Sequence, residues 1–119
     1  MREVSPTELL EQLQEMVEVL AAPVLVQTSW LTAREYPVDE LWLQFFDSVP
    51  GWLPRLTDAG VVTPNAVGAL NDLSRHLVTL TESQNPAVFT REGLATANVW
   101  EQVRAAAQTA LVQMAPSRR

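Results

Sequence analysis

Side chains able to do acid–base or nucleophilic chemistry are few in this chain, and they stand apart. The single histidine, His76, follows Asp72 by one helical turn, a spacing at which a carboxylate can orient an imidazole for general-base work. The same spacing also makes an ordinary i, i+4 surface pair worth about 0.3 kcal/mol. No serine or threonine stands beside it in a nucleophile motif, so the surface pair is the reading adopted. Glu40 and Asp47 fall on one helix face, about 10 Å apart. Neither a Glu-x-x-His pair for a di-metal bundle nor a calcium-loop spacing accompanies them. The absence of cysteine removes disulfides, thiolate zinc sites and iron–sulfur clusters. All eight cations are arginine, so Schiff-base and P-loop lysine chemistry is excluded. We attribute that composition to codon usage in a GC-rich genome. Gly51, Gly60, Gly68 and Gly93 are too scattered to form a phosphate loop. The expectation is a non-enzymatic chain with no metal or cofactor.

Binding chemistry is better represented. Residues 1–47 carry nine carboxylates against Arg2 and Arg34, whereas residues 48–119 carry five against six arginines. An acidic half repels phosphate and attracts a basic protein surface, so nucleic acid is not an expected partner. Glu8, Glu11, Glu15 and Glu18 repeat at i, i+3 and i+4 spacing with no basic residue at helical spacing among them. Like charges so placed oppose helix formation by about 0.3 kcal/mol per pair. The strip is therefore either a solvated face that keeps a small domain soluble or a dock for a cationic partner. Leu43, between Glu40 and Asp47, gives a second patch: an apolar knob rimmed by charge, or a residue buried by another helix. Of four tryptophans, Trp42 and Trp100 are in phase with apolar stripes, which assigns them to packing. Trp30 and Trp52 stand next to loops and, with Tyr36, are candidates to line a groove.

The elements that must position these residues are helices. Ser5-Pro6-Thr7-Glu8 is a capping box with proline at the first helical position. Leu9, Leu10, Leu13, Met16, Val17 and Leu20 then recur on the side opposite the glutamates, and Pro23 ends the helix. Pro23 to Leu31 fits a short helix or an extended connector, with helix favoured, and residues 33–37 read as a linker, since the residue before Pro37 avoids the α region. Val38, Leu41, Trp42, Phe45, Phe46 and Val49 form an amphipathic helix with a heavy aromatic face. Trp52, Leu53 and Leu56 continue its phase, but Pro50-Gly51 predicts a break or a kink, with a second short helix from Pro50 to Ala59 stopped by Gly60. Thr63-Pro64 starts the next helix, with Val67, Leu70, Leu73, Leu77 and Leu80 as its stripe. After the Ser83–Pro86 turn and a short turn near Phe89-Thr90, a last helix from about Asn98 presents Trp100, Val103, Ala107, Ala110, Leu111 and Met114. Residues 115–119 read as a frayed tail.

The order of motifs resembles a family of small, acidic, all-helical bacterial proteins. The likeness rests on Tyr36 followed by Asp39-Glu40-Leu41, then Phe46-Asp47, Val67-Gly68-Ala69-Leu70, and a closing run of Trp100, Val103, Ala106, Ala107, Ala110 and Leu111. Ser48 departs from it, standing where the family carries a second acid, and the 50–60 stretch is longer here. That family has no established activity, so the resemblance implies a layout and no mechanism.

Together these readings predict one all-α domain over residues 1–119, an irregular bundle of about five helices. The longest apolar run, residues 19–26, is far shorter than the roughly 20 residues that span a bilayer, so no membrane role is expected. The leading residues lack the basic start and apolar core of a signal peptide, which with the missing cysteines points to the cytoplasm. The expected function is a protein-binding module that engages a basic partner through Glu8, Glu11, Glu15, Glu18, Glu40, Leu43 and Asp47. An immunity-type antagonist of a cationic toxin is one concrete form. The alternative is a small-molecule binder with a groove lined by Trp30, Tyr36 and Trp52. A homodimer is also compatible, because the aromatic stripe is large for one short bundle.

Overall fold

The computed structural model describes residues 5–114, so residues 1–4 and the expected tail at 115–119 lie outside the described residues. Within them the chain is all α. It comprises α1 (Pro6–Ala21), α2 (Val24–Arg34), α3 (Glu40–Asp58), α4 (Pro64–Thr81), a 3-10 turn (Pro86–Phe89), α5 (Arg91–Thr96) and α6 (Asn98–Met114).

Each start has a chemical cause. Ser5 accepts from the Glu8 N–H at 3.2 Å while the Glu8 carboxylate accepts from the Ser5 N–H at 3.0 Å, which closes the capping box of α1. Thr63 and Thr90 cap α4 and α5 through their hydroxyls. Pro23 separates α1 from α2, whose axes diverge by 118°. Two helices end in a Schellman closure. At the end of α3, Gly60 takes the left-handed φ of 75°, its N–H bonds Thr57 O, and the Val61 N–H bonds Leu56 O. At the end of α2 the same role falls to Glu35 at φ 55°, with bonds from Glu35 N–H to Thr32 O and from Tyr36 N–H to Leu31 O. The helix thus runs through Arg34, further than the expected linker allowed.

The expected break at Pro50-Gly51 does not occur, and α3 is one helix through both Pro50 and Pro54. Both prolines lie on its exposed face, while Phe45, Val49 and Leu56 are buried on the other. The two N–H groups that proline removes are therefore missing on the solvent side, where water can reach the freed carbonyls. Burial of the apolar stripe outweighs the loss. The same phase that links Phe45 to Leu56 in the sequence is what keeps the two halves in one continuous helix.

The core lies around α6, which packs on both α4 and α1, while α1 also packs on α3. Ala107 and Ala110 are wholly buried in α6, and small side chains there let the neighbouring helices approach closely. Trp100 is fully buried, and its indole N–H donates to Val88 O at 2.9 Å. Trp42 stacks against Trp100 and Phe89 with ring centroids 5.8 and 5.5 Å away, so both tryptophans assigned to packing are core residues.

One polar corner ties the helices that flank the acidic face. Gln27, fully buried in α2, donates to Val19 O at 3.0 Å and Leu20 O at 3.1 Å at the end of α1, where Val19 O also accepts from the Ala22 N–H at 3.3 Å. Its own carbonyl accepts from Arg104 at 3.0 Å, and Arg104 also donates to Leu94 O. Gln108 donates to Ala21 O, completing the terminus from α6. Partial burial lowers the Arg104 guanidinium below its ordinary pKa, and nearby Glu101 pulls it back up.

Candidate functional site

The Schellman turn that ends α2 also builds an aromatic wall. It folds Tyr36 back onto Trp30, so that the two rings meet edge to face at 5.6 Å. This is the apolar contact that typically accompanies such a closure. Arg34, four residues after Trp30, places its guanidinium over the indole at 4.7 Å and donates to Trp30 O at 3.3 Å. From α5, Arg91 reaches across to Thr28 O at 3.1 Å, Thr32 Oγ1 at 2.7 Å and Tyr36 O at 3.5 Å, which holds this segment against the body.

That wall closes one side of a half-open cavity of about 400 Å³. The opposite side comes from α1 and the start of α3. Met16, Val19 and Leu41 supply apolar surface, Gln12 and Gln44 supply amides, and Glu15 and Glu40 supply carboxylates. Glu15 of the expected acidic strip, Glu40 of the second patch, and Trp30 and Tyr36 of the expected groove thus line one cavity.

Not every expected residue joins it. Glu11 and Glu18 are exposed on α1 but do not line the cavity. Glu8 is engaged at the helix start, where its carboxylate completes the capping box. Leu43 is 40% exposed on the outer side of α3, near exposed Asp47 and outside the cavity. Trp52, expected as a third groove residue, is half-buried and not part of the wall. It is twelve residues beyond Glu40 on the same helix, about 18 Å along the axis at the usual rise. Among the described residues, Glu11, Glu15, Glu18, Glu40 and Asp47 form no ion pair within 4.0 Å, whereas Asp72 pairs with Arg75. His76 and Asp72 face a second, smaller cavity of about 310 Å³ floored by Ala69, Ala105 and Ala106 between α4 and α6. Among the described residues no three histidine, aspartate or glutamate side chains come together as a metal site would need.

Sequence reasoning missed Arg34, Gln12 and Gln44. For Arg34 a signal was present, since an arginine four residues after a tryptophan on one helix is at stacking distance. The glutamines carry no such mark. No single helix among the described residues is long and apolar enough to cross a membrane. Comparison of the chain with protein-family models, curated proteins and solved structures returns no match.

Proposed function

We propose that the chain is a protein-binding module whose acidic face, formed by α1 and the start of α3, docks a basic protein surface. The observation that supports this most directly is the state of its carboxylates. Glu11, Glu15 and Glu18 are exposed along one side of α1, Glu40 at the start of α3 lines the cavity with Glu15, and no described arginine neutralises them by an ion pair. Uncompensated charge of one sign raises the encounter rate with an oppositely charged partner and weakens as salt screens it. An antagonist that caps a cationic toxin would use such a face.

The test begins with low-salt capture from native extract and identification of what binds. The purified pair is then titrated at 50 and 300 mM salt, about 14 and 6 Å of Debye length. The expected result is a basic partner bound at least tenfold more weakly at high salt, and at least a hundredfold more weakly by Glu11→Arg with Glu15→Arg. Equal binding by that variant defeats the reading.

The cavity favours a second reading, a small-molecule site, because its volume falls within the range of about 300–1,000 Å³ usual for ligand pockets. A metabolite that shifts tryptophan fluorescence equally at both salt concentrations would support it.

A further inference from the structure

We propose that the cavity between α1, α2 and α3 receives an arginine side chain of the partner protein, held between the Trp30–Tyr36 wall and the Glu15 and Glu40 carboxylates. This deepens the acidic-face reading and rests on it. The charge count gives the first reason. Two carboxylates line the cavity against one guanidinium, that of Arg34, so the lining carries one net negative charge that a single cation would neutralise.

The shape of the chemistry gives the second. A guanidinium is planar, weakly hydrated and able to stack on aromatic rings while its five N–H groups meet carboxylates. The cavity lining offers the Glu15 and Glu40 carboxylates as acceptors, with the Gln12 and Gln44 amides beside them, and the Trp30 and Tyr36 rings for stacking. Within the chain itself, Trp30 already accepts a guanidinium, that of Arg34 at 4.7 Å. A lysine ammonium is a compact, strongly hydrated point charge that would leave more of this surface unused. Size is adequate: about 400 Å³ corresponds to roughly a dozen water volumes, ample for one arginine side chain.

The experiment is a two-dimensional NMR titration of the full chain with N-acetyl-arginine methylamide. The matched citrulline and lysine compounds serve as the neutral and the ammonium controls. Trp30→Phe identifies the Trp30 indole resonance, and the buried Trp100 indole is the internal control. The expected result is a saturable shift of the Trp30 indole with millimolar affinity for the arginine compound. The lysine compound should bind several-fold more weakly, and citrulline should show no saturation. Glu15→Gln with Glu40→Gln should weaken the arginine compound at least tenfold. Glu11→Gln with Glu18→Gln, which removes the same charge outside the cavity, should change it less than twofold.

Equal binding of citrulline, equal binding of the lysine compound, or equal loss in the two double variants overturns the assignment. Failure of the arginine compound alongside intact salt-sensitive partner capture also overturns it and leaves the acidic-face reading standing. If the arginine compound binds as expected but no basic protein is captured, it is the acidic-face reading that falls. The occupant would then not be a partner's side chain.

Discussion

Replacing Gln27 by leucine tests whether the polar corner fixes the helix that carries the aromatic wall. Gln27 lies three residues before Trp30 on α2, and its amide joins the end of α1 to Arg104 of α6. Leucine has a similar volume and fills the space, so no cavity term enters. What is lost is the donor to Val19 O and Leu20 O and the acceptor for Arg104. Leaving a buried polar group unsatisfied costs about 1–3 kcal/mol. Val19 O is only partly buried and keeps the Ala22 N–H, and Arg104 keeps its bond to Leu94 O, so both contribute at the low end and Leu20 O carries most of the cost. Leucine's own burial returns about 1–2 kcal/mol. The net expectation is a loss of about 2 kcal/mol, read as a lower urea midpoint by far-UV circular dichroism with an unchanged slope. For a chain of this size that corresponds to a drop in Tm of about 8–10 °C. Arg104→Met in the same background should cost about 1 kcal/mol less than it does alone, because its partner is already gone. A Gln27→Leu loss below about 0.5 kcal/mol, or strict additivity of the two changes, would refute the claim that this network secures the α1–α2 corner.

Two further outcomes follow from backbone geometry. Gly93→Ala should destabilise by about 2–3 kcal/mol in thermal denaturation, because a Cβ there would overlap the Ala87 carbonyl and sit 2.8 Å from Val88 Cα; a neutral effect would mean that α5 does not press on the 3-10 turn. Glu35→Gly should stabilise by about 0.5–1 kcal/mol, since glycine adopts the left-handed φ of 55° without the Cβ penalty; a loss of stability would show that Glu35 contributes a contact beyond its backbone.

Helices were legible in this sequence because their signals are local and agree with one another. Ser5 and Thr63 cap where their spacing predicted, and the Leu9–Leu20 and Leu70–Leu80 stripes are buried as their period required. The misjudgement at α3 was a contest between two local rules. Proline opposes helix continuation and apolar phase demands it, and the outcome depended on which side of the helix the prolines occupy. Pro50 and Pro54 are separated by four residues and so share a face, and Phe45, Val49 and Leu56 mark the opposite one. Read with that phase in hand, the sequence already contained the answer.

The site was legible in its parts and not in its assembly. Glu15, Glu40, Trp30 and Tyr36 each stood out by residue type, but nothing local states that α1 and α3 lie side by side with the end of α2 across from them. That arrangement comes from long-range packing and from the 118° turn at Pro23, held by Gln27 and Arg91. The positive-φ Glu35 is the one local feature with non-local consequence, for it turns Tyr36 back onto Trp30 and converts the end of a helix into the wall of a cavity. The same fact separates the two groups of glutamates. Glu11 and Glu18 are exposed outside the cavity and Glu15 and Glu40 line it, so under the proposed docking role the first two would steer a cationic partner at a distance and the second two would hold its desolvated cation. Charge reversal at Glu11 and Glu18 should therefore act on association rate and its salt dependence, and neutralisation at Glu15 and Glu40 on residence time.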